Sequence, residues 1–115
     1  MLNHSEVKIC IVGLGYVGLP LASSFSKKGF KVVGFDIDVD RIRQLNNDFD
    51  VTNEVSKKQL GELDALHFTS DFNCALNCNV YIVTVPTPVD SHKRPDLFAL
   101  ERACELIGPA LADKN

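Results

Sequence analysis

Apolar residues along the chain fall into runs of two periods. A brief run at residues 66–69, and short runs rich in β-branched side chains at 7–12, 31–35 and 80–85, read as strands. The last, VYIVTV, is apolar on alternate and intervening positions alike, as expected of a central strand in a parallel sheet. Between them the apolar spacing lengthens to three and four residues. Val17, Leu21, Ala22 and Phe25 mark a helix over 16–28, with Lys27 and Lys28 at its negative end and Gly29 as its stop. Ile42 and Leu45 mark a second over 39–46, with Asp38 as its N-cap. A third is predicted over 54–63, capped by Thr52 or Asn53, and a brief one over 71–76, capped by Ser70. A final helix runs from Pro95 or Asp96 to Ala112, its buried face marked by Leu97, Leu100, Ala103, Cys104 and Ile107.

Strands alternating with helices predict an α/β fold, a Rossmann-type doubly wound parallel sheet. Right-handed crossovers then give the strand order 3-2-1-4, with a ligand crevice beyond the carboxyl ends of the first and fourth strands. A tight glycine pattern lies at that crevice. Gly13-x-Gly15-x-x-Gly18 follows the first strand and opens the first helix. Gly13 serves the tight turn, Gly15 lets a pyrophosphate approach the backbone, and Gly18 lets the helix lie close to the sheet. The helix start offers unpaired N–H groups to phosphate.

The second strand ends in Asp36, 23 residues after Gly13 and 18 after Gly18, the spacing of a ribose-binding carboxylate. A carboxylate there accepts from the ribose hydroxyls and repels a 2′-phosphate, which favours NAD over NADP. Arg41 has two readings. It lies over the adenine or reaches the adenosine ribose, or it is an exposed, solvated helix residue. After the fourth strand, Thr87 stands between Pro86 and Pro88, a stiff loop that presents a hydroxyl to the cofactor cleft or simply ends the strand.

Composition narrows the class. The 115 residues are 45% apolar and 23% charged with a net charge of −3, enough for one small domain with a core and without a nucleic-acid surface. No apolar run reaches membrane-spanning length, and MLNHSEVK lacks a signal-peptide core, so a cytoplasmic protein is expected. Cys10, Cys74, Cys78 and Cys104 form no CxxC pair and have no histidine at metal spacing; no metal site is expected. His67 and His92 have no visible carboxylate partner.

Taken together, KICIVGLGYVGLP at 8–20, VGFDIDVDR at 33–41, YIVTVPTPVD at 81–90 and KRPDL at 93–97 resemble the nucleotide-sugar 6-dehydrogenases, the UDP-glucose and GDP-mannose dehydrogenases. The VTVPTPVD and KRPDL segments are most similar to the branch oxidising UDP-N-acetylhexosamines. The resemblance implies NAD-dependent oxidation of the C6 alcohol of a UDP-sugar to a carboxylate for surface polysaccharide biosynthesis, through a cysteine thioester. It implies that Gly13, Gly15, Tyr16, Val17 and Gly18 hold the pyrophosphate, that Asp36 and Arg41 serve the adenosine end, and that Thr87 lines the cleft. A homo-oligomer is implied as well.

The family pattern also sets what this chain is expected to lack. Residues 1–115 correspond to the N-terminal part of a Rossmann domain, with the catalytic cysteine and the sugar-nucleotide domain outside it. None of the four cysteines matches the nucleophile, so no catalytic residue is assigned and the chain alone is expected to be inactive. An unpaired edge on the fourth strand is expected to give marginal stability or self-association. The alternatives are a non-catalytic Rossmann nucleotide-sensing module and, less compatible with Asp36 and Thr87, a methyltransferase or flavoprotein.

Overall fold

A computed structural model of the chain describes residues 6–47, 66–85 and 97–112. The predicted helix at 54–63, the Thr87 loop and His92 lie outside the described residues. Four strands, β1 (Lys8–Val12), β2 (Lys31–Phe35), β3 (Leu66–Thr69) and β4 (Val80–Val83), form one sheet in the order β3-β2-β1-β4. All three pairings are parallel, with Ile9 opposite Val32 and Val80, and Val33 opposite His67. The helices among the described residues are α1 (Gly18–Lys27), α2 (Val39–Asn46) and α3 (Phe98–Ala112), with a 3₁₀ turn at Phe72–Ala75. No helix among the described residues is long and apolar enough to cross a membrane.

Period-two alternation in β1 divides the core. Ile9 and Ile11 face one side, where Leu19 and Ala22 of α1 and Ile42 and Leu45 of α2 cover them. Cys10 and Val12 face the other, packed with Phe35, Ala75, Cys78 and, from α3, Ala103 and Ile107. The sheet is therefore covered on both faces, and β1 is buried from Ile9 to Val12.

Several local readings shift. The first helix begins at Gly18 rather than residue 16, because residues 15–17 form the turn that feeds it. Its buried face is Leu19, Ala22, Ser23 and Ser26, whereas Val17 is 65% exposed. Small side chains face inward because the helix lies close to the sheet. At its far end Gly29 adopts φ 95° and Phe30 N–H returns to the Phe25 carbonyl at 3.2 Å, which stops the helix as expected.

The brief helix is a 3₁₀ turn capped by Asp71, whose carboxylate accepts from Asn73 N–H at 3.0 Å, and not by Ser70. In α3, Ala103, Ile107 and Ala110 are buried, while Cys104, and Leu97 just before the helix, are exposed. The cysteines thus split into a buried pair, Cys10 and Cys78, and an exposed pair, Cys74 and Cys104. A hydrogen bond with Cys78, with burial behind it, pushes the Cys10 thiol far above the ordinary thiol range.

β4 ends at Val83, two residues earlier than its apolar run, and it is an edge strand among the described residues. Thr84 explains the early end. Its N–H still meets the Val12 carbonyl at 2.8 Å, but its hydroxyl turns to donate to the Gly13 carbonyl at 2.7 Å. That bond draws the chain out of the ladder and toward the glycine turn.

Candidate cofactor site

The turn after β1 is built from three glycines with different demands. Gly13 has φ 102°, a region that L side chains rarely adopt, and a Cβ there would press on the Thr84–Val85 backbone at 3.0 Å. A Cβ on Gly18 would overlap the Gly13 carbonyl and the Thr84 hydroxyl. Gly15 is different, because a Cβ there would meet nothing within 4 Å. The fold itself requires Gly13 and Gly18. It does not require Gly15.

Leu14 sits between them, fully buried, and its two polar backbone groups are held by the predicted site residues. Its N–H donates to Asp36 Oδ2 at 2.9 Å, and its carbonyl accepts from Arg41 Nε at 2.7 Å. Asp36 Oδ1 accepts from Asp38 N–H at 2.9 Å, which ties the end of β2 to the start of α2. Asp38 caps α2 as expected, its Oδ1 accepting from Asp40 and Arg41 N–H at 3.0 and 3.2 Å. Arg41 is therefore not an exposed, solvated residue. It is only 7% exposed, because its guanidinium is drawn down to the Leu14 carbonyl.

Beyond Leu14 the turn has spare donors. The N–H groups of Gly15, Tyr16 and Val17 donate to no acceptor among the described residues. The start of α1 has no side-chain cap and no acidic residue in its first turn. A helix end left this way carries uncompensated positive charge, directed at whatever lies before it.

What lies before it is an open groove of about 730 Å³, in the range of small-molecule sites. Of the predicted residues, Gly13, Gly15, Tyr16, Val17, Asp36 and Arg41 line it. Gly18 is buried behind the turn and does not. Thr84 and Val85 at the end of β4 also border it, together with one face of α3 that includes Phe98 and Arg102. The crevice position predicts the end of β4, Val85 included, but not the Thr84 side chain or the α3 face. Thr84 had a legible signal, a lone hydroxyl inside the apolar run VYIVTV. The α3 wall had none, since it depends on where that helix docks.

The groove thus joins an anion-binding helix start to a carboxylate at the end of the neighbouring strand. Residues 7–115 match the UDP-glucose/GDP-mannose dehydrogenase family, NAD binding domain. The chain belongs to this family.

Among the dehydrogenases it is similar to, the UDP-N-acetyl-D-glucosamine 6-dehydrogenase of Salmonella typhi is 49% identical over 111 residues, covering 96% of this chain and 26% of that protein. The enzyme of the same description from Pseudomonas aeruginosa is 52% identical over 106 residues, covering 92% and 25%. The chain thus spans about a quarter of the length of these dehydrogenases. Among solved structures, the UDP-D-ManNAc dehydrogenase of Pyrococcus horikoshii superposes with a TM-score of 0.82 at 33% identity, over 90% of this chain and 26% of that one. A ternary complex of GDP-mannose dehydrogenase from Pseudomonas aeruginosa gives 0.81 at 31% identity, over 90% and 25%.

The dehydrogenase-family domain binds NAD, and the groove fits such a group on its own terms. The unfilled space over Gly15 and three free amides suit a diphosphate. Each Asp36 oxygen takes one backbone donor and keeps a lone pair for a hydroxyl.

Proposed function

We propose that this chain is the cofactor-binding part of a UDP-N-acetylhexosamine 6-dehydrogenase, which oxidises the C6 alcohol of a UDP-sugar to a carboxylate for surface polysaccharide synthesis. The observation that carries the reading is the uncapped start of α1, with the free amides of Gly15, Tyr16 and Val17 beside the Asp36 carboxylate. Those amides hold the pyrophosphate. Asp36 accepts from the adenosine ribose, and Arg41 fixes the peptide between the two through the Leu14 carbonyl. Gly13 and Gly18 keep the turn open, and Thr87 contributes a hydroxyl from the loop beyond β4. Bound NAD supplies the hydride acceptor.

The two dehydrogenases quoted above, named for UDP-N-acetyl-D-glucosamine, support the choice of sugar class. In this reading residues 1–115 supply the cofactor half of the reaction. The groups that act on the sugar belong to domains of the kind that fill the rest of those relatives. The protein works in the cytoplasm as a homo-oligomer, where the nucleotide sugar and NAD are both present.

Isothermal calorimetry with NAD and NADP, on the chain and on Asp36→Ala, tests the cofactor assignment. The expected result is tighter binding of NAD than of NADP, with NAD weakened in the variant while circular dichroism stays unchanged. A folded chain that binds both equally, or neither, refutes it.

A further inference from the structure

One wall of the groove comes from a part of the chain that the glycine turn does not predict. Phe98, Ala99, Arg102, Ala103 and Leu106 line the groove at steps that place them on one face of α3. That face is fixed in position by Ala103 and Ile107, which pack in the same cluster as Val12 and Phe35. Val12 immediately precedes the glycine turn, and Phe35 immediately precedes Asp36. The wall therefore stands over the carboxyl ends of β1 and β2. Ile37, 70% exposed, borders the same groove.

Arg102 is the charged residue of this wall. Its side chain is 55% exposed and meets Glu105 of the next turn at 3.5 Å, itself 66% exposed. A long ion pair between two solvated groups contributes little and is easily exchanged. The other cation on the groove among the described residues, Arg41, has its Nε committed to the Leu14 carbonyl. Arg102 is thus the cation free to change partners when the groove fills.

The order of groups along a dinucleotide fixes what Arg102 meets. With the diphosphate on the Gly15–Val17 amides and the ribose on Asp36, the base is the next unit outward. It falls in the part of the groove that Ile37 and α3 line. A base is flat and apolar on both faces. Ile37 offers one apolar surface to it. A guanidinium is planar and weakly hydrated, so it stacks on a π face where an ammonium does not.

We propose that Arg102 is a binding residue for the cofactor base, its guanidinium laid over one face of the adenine while Ile37 supports the other. This rests on the dinucleotide reading above. NMR titrations of the ¹⁵N-labelled chain with NAD, adenosine and inorganic pyrophosphate, repeated on Arg102→Ala and Arg102→Lys, test it. The amide spectrum also reports whether each variant is folded.

Arg102→Ala is expected to weaken NAD and adenosine by a similar factor, about three- to thirtyfold, and to leave pyrophosphate unchanged. Arg102→Lys is expected to recover only part of the loss. Weaker NAD and pyrophosphate with adenosine unaffected overturns the proposal and moves Arg102 to the phosphates. Unchanged affinities for all three overturn it in favour of a simple surface pair with Glu105. Absence of NAD binding to the unaltered chain removes the dinucleotide reading and this proposal with it, an outcome distinct from the other two.

Discussion

Replacing Gly15 by alanine separates what the fold requires from what a ligand requires. The added methyl meets no protein atom within 4 Å, and the residue does not sit at positive φ. Folding therefore loses nothing. Removing the extra backbone freedom of glycine from the unfolded chain is expected to raise stability by about 0.4–1 kcal/mol. The cost falls on binding. The methyl projects into the open space beside the turn and holds an incoming phosphate off the backbone there.

A hydrogen bond to a charged group contributes about 1.5–3 kcal/mol, so NAD affinity should fall by about 10- to 100-fold. Gly18→Ala is the control. Its methyl collides with the Gly13 carbonyl and the Thr84 hydroxyl, so it should destabilise by about 1–3 kcal/mol or more. Urea unfolding and calorimetry on the two variants give four numbers. The reasoning is refuted if Gly15→Ala is folded and binds NAD like the unaltered chain, or if it is as destabilised as Gly18→Ala.

Asp38→Ala removes the carboxylate that accepts from Asp40 and Arg41 N–H, and a lost N-cap should lower stability by about 1 kcal/mol, read as a lower urea midpoint at constant slope. Alkaline pH should act through Cys10. Its folded-state proton is held well above the ordinary thiol range by Cys78 and by burial, so the unfolded chain releases a proton that the folded chain keeps. Stability is then fully present below about pH 8.5 and falls as pH rises beyond it. The urea midpoint should show this between pH 7 and 10, with a shallower decline in Cys10→Ala; a flat profile in the unaltered chain contradicts it. Tyr81, raised by burial and by the same two thiols, adds in the same direction at higher pH.

Residue periodicity was enough for the sheet. Apolar runs located the four strands of the described residues, and right-handed crossovers then left one strand order, which is the order found. Asp36 and Asp38 were legible because each is placed by its position at a strand end or helix start. Where side-chain size or a distant partner decides the outcome, the pattern misled. Counting apolar residues put Val17 on the inner face of α1 with Phe25, which does pack against the core, but it missed Ser23 and Ser26, whose hydroxyls a hydropathy pattern counts as polar. Arg41 has two readings in the sequence, a ligand-side residue or a solvated one, because its own helix is polar and cannot choose between them. Its burial follows from the Leu14 carbonyl, 27 positions earlier, and leaves no local trace. The α3 wall and Arg102 were hidden for the same reason, since the packing of Ala103 against Phe35 sets them.

The bond from Thr84 to the Gly13 carbonyl has a consequence in time. It spans 71 positions, and it lies beside the pairing of β1 with β4, which is equally distant in sequence. During synthesis β1, α1, β2 and α2 all emerge before Thr84 exists. The whole glycine motif and its carboxylate are then present, yet the carbonyl that Thr84 later clamps has no hydroxyl to meet. Non-local pairings of this kind form late, because closing the intervening chain costs entropy before any contact compensates. The turn is thus clamped only from β4, the last of these strands to be made, so a ribosome-bound chain that stops short of β4 displays the complete motif without the clamped turn.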